Sequence, residues 1–438
     1  MWCAVFGVLA AGAQSPAVLR TLPQAQEALG FTDYSWDGDS VCFSNASHVV
    51  QFYQGRRRAE VNGTVVYLNA APDGHVKNGE WRMAAMDLDF LSLSILPKDC
   101  NVIKPLRVMV DAGHGGMDDG AISRTPAVPE KTLTLDLARR IGKLLEAAGM
   151  QVVYTRTNDV AVALETRARM ARKEAADVFV SVHANFASNT NACGPETYVL
   201  TPAGFPGTPE NSKARGVQAG NTNDFHNTLL GYSIHKHLVQ VDPDVLDRGL
   251  KRQAFFVLRE VPCPSVLVEV GFLSNEAEAT KMLTDEWKDP CALAIARGVI
   301  EYARKADALT LALDERRQRE ARAREQAAKA KAEAAQKQAE EERKKAEVEQ
   351  KKAEEARAEA ERKQAEAERK KAEEAAKPEA PVKPEEPVKQ DEPAKPEEPV
   401  KQDEGVQPVK PEPAAELPPP QAPHPEDPQT VFDFYLNR

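Results

Sequence analysis

Between residues 105 and 305 the chain alternates short, mostly apolar runs with longer amphipathic stretches. No other feature restricts its fold as much. The runs at 106–110, 152–154, 178–182 and 266–268 are rich in Val and Leu, as in strands buried on both faces. The stretches 130–148, 162–175 and 290–303 repeat their apolar residues at helical spacing. Alternation of this kind predicts an α/β domain at 105–305, a mainly parallel sheet flanked by helices. About 200 residues can bury a sound core.

The rest of the chain reads differently. Residues 28–103 hold short β-branched and aromatic runs at 41–43, 48–53 and 64–68. Turn signals such as Asp37-Gly38-Asp39 and Asn62-Gly63 separate them, which predicts a small, mainly β N-terminal domain. From 307 to 377 the sequence is almost entirely Ala, Glu, Lys, Arg and Gln. Glu and Lys recur there at i,i+4 spacing, as in Glu340–Lys344 and Glu347–Lys351, predicting a long charged helix. A coiled coil needs sustained apolar a and d positions. Here alanine fills them, with Val348 an isolated exception, so a solvated single helix is favoured over a stable coiled coil. Sixteen of the 31 prolines fall between Pro378 and Pro428, and KPEEPVKQDE occurs twice, at 383–392 and 395–404. Residues 378–429 are therefore expected to form a disordered, extended tail. The aromatics of 430–438 make a candidate docking peptide for a partner protein, with a frayed terminus as the equal alternative.

Charge follows the same division. Residues 307–438 hold 26 Lys and Arg against 33 Asp and Glu, which leaves 31 against 34 for the first 306. The first 306 residues are near neutral, and no net basic surface favours nucleic acid. Residues 1–13 are apolar and end in Ala11-Gly12-Ala13, the pattern of a secretory signal peptide, although no Lys or Arg precedes the run. Its removal would leave no membrane span. Of the six cysteines, Cys42 and Cys100 could form a disulfide in an exported protein, and buried free thiols are the equal alternative.

Three apolar strands each carry one titratable side chain toward the end where open α/β sheets bind ligands. They are Val108-Met109-Val110-Asp111-Ala112-Gly113-His114, Val178-Phe179-Val180-Ser181-Val182-His183 and Val266-Leu267-Val268-Glu269. A lone His beside glycines is more often a turn or core residue than a ligand. A carboxylate behind Val-Leu-Val is costly to bury unless it is paired or serves a site. Two histidines need a further ligand to make a catalytic zinc site. Glu130, opening the predicted helix after His114, is the natural third, and taken alone it would be an ordinary first-turn acid.

These segments, DAGHGGMDDGA, EKTLTLDLARRIGKLLEAAGMQVVYTR, LETRARMARKEAADVFVSVHAN, GPETYVL, RGL and PSVLVEVGFLSNEAE, resemble the zinc-dependent N-acetylmuramoyl-L-alanine amidases of the type 3 family. The resemblance runs in order from about residue 106 to 303. It implies one Zn2+ held by His114, Glu130 and His183, with Glu269 as the catalytic base. It also implies cleavage of the amide between N-acetylmuramic acid and L-alanine of peptidoglycan, in the periplasm or cell wall. Residues 28–103 resemble the small stalk-like domain that precedes such catalytic domains, and the charged helix is similar to periplasmic spacer helices.

Around this core, Asn185 and Glu196 are candidates to support the site, with purely structural roles at least an equal alternative, and Arg167 and Arg248 are expected to be salt-bridge residues rather than catalysts. A long loop is expected over 199–234, flexible at the substrate cleft. Within it Asp224 and His226 could cap an open metal position, which would be autoinhibitory. His235 and His237 are expected on a helix surface. Competing readings are another zinc peptidase or carboxypeptidase acting on stem peptides, and a non-catalytic wall-binding scaffold.

Overall fold

The computed structural model describes residues 18–97, 103–209 and 212–375. The signal-peptide reading of 1–13, the proline-rich tail, the terminal docking peptide and Cys100 of the suggested disulfide lie outside the described residues. Cys42, Cys193, Cys263 and Cys291 are free thiols.

The chain begins with β1 (Leu19–Thr21), α1 (Leu22–Leu29), β2 (Asp33–Asp37), β3 (Ser40–Ser44), β4 (Val49–Tyr53), β5 (Arg58–Val61), β6 (Thr64–Tyr67), β7 (Arg82–Ala84) and α2 (Ala85–Phe90). Next come β8 (Arg107–Ala112), α3 (Glu130–Ala147), β9 (Gln151–Tyr154), α4 (Leu164–Lys173), β10 (Val178–Asn185) and β11 (Glu196–Val199). It continues through α5 (Asp224–Leu238), β12 (Leu250–Arg252), α6 (Phe256–Glu260), β13 (Ser265–Phe272), α7 (Glu276–Met282) and α8 (Asp285–Ala375). β8, β9, β10 and β13 form a parallel block, to which β11 adds antiparallel on β13 and β12 parallel on β11. The α/β architecture is as expected, with one antiparallel step.

Alternate residues of each central strand point to opposite faces. Val108, Val110, Val180, Val182, Val266 and Val268 join a core with Leu137 and Ile141 of α3, Leu230 and Ile234 of α5, and Ile295 and Val299 of α8. Met109, Phe179, Leu267 and Tyr198 face the other way, toward Ala168 and Ala171 of α4 and Val257 and Leu258 of α6. Both faces are covered, which accounts for the unbroken apolar runs.

α5 corrects the expected loop, because residues 224–238 are helical. Ten of its fifteen residues are buried, so it lacks the one-sided apolar stripe by which a surface helix is read. His235 is not on the surface either. It is fully buried, with Nδ1 2.9 Å from Thr197 Oγ1 and Nε2 2.9 Å from Asp247 Oδ1. His237 is partly exposed and pairs with Glu301 at 3.1 Å.

The N-terminal strands are more than a bead on the chain. β2 to β6 form an antiparallel meander, and β6 then pairs in parallel with β12 through Val66 and Leu250, giving one eleven-stranded sheet. Val65 N donates to Asp247 Oδ2 at 2.8 Å, and Tyr232 Oη of α5 donates to Val61 O at 3.2 Å. Asp247 thus links β6 to His235, and through it to β11.

Residues 318–375 constitute a separate unit, the C-terminal part of α8, in which every residue from 321 onward is exposed. Pairs at i,i+4 such as Lys344–Glu340 (2.7 Å) and Lys363–Glu359 (2.7 Å) line it, each worth about 0.3–0.5 kcal/mol. Composition and these pairs, not burial, sustain this helix. Among the described residues no helix is long and apolar enough to cross a membrane.

Replacing His235 by Ala removes two buried hydrogen bonds and opens a cavity where β6, α5 and β11 meet. The expected cost is about 2–4 kcal/mol, read as a lowered urea midpoint. An unchanged midpoint would show that this linkage does not hold the N-terminal strands to the sheet.

Candidate metal centre and active site

β8 ends at Ala112, and the chain turns sharply through Gly113 and His114. His114 takes φ 60°, a left-handed conformation seldom adopted by a residue with a side chain. Two buried arginines hold the turn in place. Arg156 donates from Nε to Ala112 O (3.0 Å) and from Nη2 to Gly113 O (2.7 Å). Arg167 donates from Nη1 to Ala112 O (2.7 Å) and from Nη2 to His114 O (2.8 Å). Arg167 Nη1 also lies 2.5 Å from Asp111, which accepts from Thr155 and Ser181. Burial alone would raise the Asp111 carboxyl, and the Arg167 charge with those hydroxyl bonds brings it below its ordinary range. Arg167 is an ion-pair residue, as its sequence context suggested, and it also positions the backbone of His114.

Glu130 is the first residue of α3 and is 2% exposed. Its Oε1 lies 2.9 Å from His183 Nδ1 and accepts from Ala184 N at 3.0 Å. Its Oε2 accepts from Ala121 N at 2.9 Å and lies 3.1 Å from His114 Nε2. One ligand atom from each of His114, Glu130 and His183 lies within 4.8 Å of the others. His114 Nδ1 in turn lies 2.9 Å from Asp118 Oδ2, fixing the ring from behind. Space is kept by glycine. A Cβ on Gly113 would stand 2.6 Å from both ring nitrogens of His183, and one on Gly120 2.5 Å from Glu130 Oε2.

The electrostatics favour a cation here. Burial pulls the His114 imidazole down, but Glu130 and Asp118 outweigh it and hold its pKa at about 10. Burial pushes Glu130 up, and the two histidines more than reverse this, holding it far below the usual carboxylate range. A dry carboxylate between two imidazoles, backed by a second carboxylate, also suits a divalent metal of zinc type, whose sites combine His nitrogen with Glu oxygen.

Glu269 lies on β13, paired in register with His183 of β10 on one side and Glu196 of β11 on the other. It is 9% exposed, and its Oε2 has no hydrogen-bond partner among the described residues. Burial, followed by the charges of Glu130 and Glu196, pushes its pKa well up, against smaller pulls from His114 and Lys251. His183 and Glu269 sit inside their strands rather than at the ends, because β10 and β13 run on to Asn185 and Phe272.

Glu196, itself buried, accepts from Asn185 Nδ2 at 3.1 Å and from Tyr198 Oη at 2.5 Å. Asp224 and His226 are not part of this group. Thr197, which alternates with Glu196, faces α5, so α5 lies on the opposite side of the sheet. Asp224 there accepts from Asn221 at 3.0 Å, and His226 lies 3.1 Å from Tyr302 Oη. Sequence reasoning passed over Asp118, Arg156, Lys251 and Tyr198. Only Asp118 carries a readable signal, an acid four residues after His114 in the same glycine loop.

Comparison with known proteins gives the family. Residues 108–301 match the family model described as N-acetylmuramoyl-L-alanine amidase. The amidase LytC of Bacillus subtilis is 34% identical over 197 residues, 45% of this chain and 35% of its own length. AmiC of Neisseria meningitidis is 36% identical over 219 residues, 44% of this chain and 52% of its own. The matched region thus spans about half or less of those two relatives. AmiA of Salmonella typhimurium is 32% identical over 219 residues, which cover 44% of this chain and 75% of that protein. With a 32% identical relative covered over 75% of its length, the chain belongs to the N-acetylmuramoyl-L-alanine amidases.

Proposed function

We propose that this protein hydrolyses the amide between the lactyl group of N-acetylmuramic acid and L-alanine, freeing stem peptides from peptidoglycan strands. The observation that carries this reading is the Glu269 carboxyl, buried beside the His114–Glu130–His183 cluster with its Oε2 lacking a hydrogen-bond partner among the described residues. A buried carboxyl with no partner is expensive unless a reaction uses it. His114, Glu130 and His183 would hold one Zn2+, which when bound supplies Lewis-acid activation of water and of the scissile carbonyl.

Glu269 takes the proton of the attacking water and delivers it to the departing L-alanine nitrogen, the two halves of general base and acid catalysis. Its raised proton affinity suits the second half. The first half is eased once the charge of Glu130, one of the groups raising Glu269, is offset by a bound cation. Asp118 keeps the His114 ring oriented, and Arg156 with Arg167 keeps its backbone in place. The substrate puts the protein's site of action in the periplasm or cell wall. The charged helix and tail would then give reach, and an envelope protein is the kind of partner that a terminal peptide would meet.

Metal analysis combined with mass spectrometry of digested peptidoglycan tests this reading. The expected products are stem peptides with a free L-alanine amino end, formed by protein carrying about one zinc and lost on chelation. Release of single D-alanine would point to a carboxypeptidase instead.

Glu269→Gln should lower kcat by roughly 10²–10⁴-fold while zinc content stays at the wild-type level. Asp118→Asn should keep the fold and weaken zinc binding about 10–100-fold, measured by competition with a chromogenic chelator. Wild-type affinity in that variant would remove Asp118 from the site.

A further inference from the structure

The row of polar side chains along this edge of the sheet continues past Glu269. His183, Glu269 and Glu196 are register partners on three adjacent strands. Neighbouring strands lie about 4.8 Å apart, so the row covers about 10 Å from His183 to Glu196. Beyond it, Arg248 Nε and Lys251 Nζ both reach Glu196 Oε1 at 2.5 Å. Two cations thus share one carboxylate oxygen.

Arg248 commits only part of its guanidinium to this contact. Its Nη1 and Nη2 have no hydrogen bond to any described residue, and the side chain is 28% exposed. The guanidinium carbon lies 4.8 Å from the centre of the Phe272 ring, which supports one face. A guanidinium fixed along one edge by a buried acid and by an aromatic ring, with its outer nitrogens open, is built to grip a carboxylate by two parallel bonds.

We propose that Arg248, with Lys251 beside it, binds a carboxylate of the stem peptide and so sets which stems this enzyme accepts. The inference rests on the amidase reading above. With the scissile amide between the metal cluster and Glu269, an extended peptide advances about 3.5 Å per residue. A carboxylate borne one or two residues beyond L-alanine therefore arrives at the open edge of Arg248. The same stem with that group converted to a primary amide loses the charge and half of the paired acceptors.

The test uses the full chain loaded with zinc and two synthetic N-acetylmuramoyl tripeptides whose second residue is a glutamate joined onward through its γ-carboxyl, identical except that its α-carboxyl is free or converted to a primary amide. Wild-type kcat/KM should favour the acid by at least about tenfold, chiefly through KM, the low end of what a charge-assisted hydrogen bond contributes. Arg248→Gln should bring the ratio close to one. Arg248→Lys should keep an intermediate ratio, since the charge on Glu196 is still met while the fork is gone. It carries the test where the Gln variant does not fold. Equal cleavage of both probes by the wild type, or an undiminished preference in both variants, would overturn the subsite alone. Cleavage of neither probe by the zinc-loaded wild type would overturn the amidase reading and the subsite with it.

Discussion

Glu130 is a carboxylate removed from water at the start of α3, and the site depends on how its burial is compensated. Left alone it would take up a proton or drive the helix end out to solvent. It does neither because each of its oxygens meets both a backbone N–H and an imidazole. Those four contacts draw together the loop after β8, the N-terminus of α3 and the end of β10, three segments distant in sequence. The same charge balance makes the place a receptor for a cation. A proton on His114 meets that need, and a bound metal ion would displace it, because a ligating imidazole must be neutral.

A site so compact needs a stiff backbone behind it, and the arginines provide that stiffness. Arg156 and Arg167 together donate to the carbonyls of Ala112, Gly113 and His114, three consecutive groups that a strand end would otherwise leave to water. His114 can then hold a left-handed conformation that costs about 1–3 kcal/mol, because the surroundings overdetermine it. Asp111 completes the arrangement by keeping Arg167 in place. Buried ion pairs of this kind are weak contributors to stability and good devices for fixing geometry.

Much of this was legible in the sequence, and the reasons for the remainder are physical. β8, β10 and β13 announce themselves because strands covered on both faces must be apolar throughout. His114, Glu130, His183 and Glu269 stood out because each interrupts such a pattern or opens the helix that follows it. α5 stayed hidden because it is buried nearly all round, and a helix without a polar side has no period to read. His235 was misplaced for the same reason. Lys251 sits in a three-residue strand whose importance comes wholly from its neighbours β11 and β6, and nothing local marks it. The joining of β6 to β12 rests on a pairing between residues 66 and 250, a separation that no periodicity reports.

That pairing changes what the N-terminal segment is. A stalk joined by a linker could be exchanged or removed with little effect on chemistry. Here β6 lies one strand beyond β12, and β12 carries Lys251 and begins two residues after Arg248. Tyr67, the last residue of β6, has its ring centre 5.9 Å from Lys251 Nζ, and Tyr198 stands at 5.8 Å. The cation that shares Glu196 with Arg248 is therefore flanked by one aromatic from the catalytic sheet and one from the N-terminal meander. Aromatic faces stabilise a nearby ammonium and keep bulk water from it. The N-terminal strands thus close the far end of the row that begins at His183, and this polar edge of the sheet extends beyond the amidase segment alone.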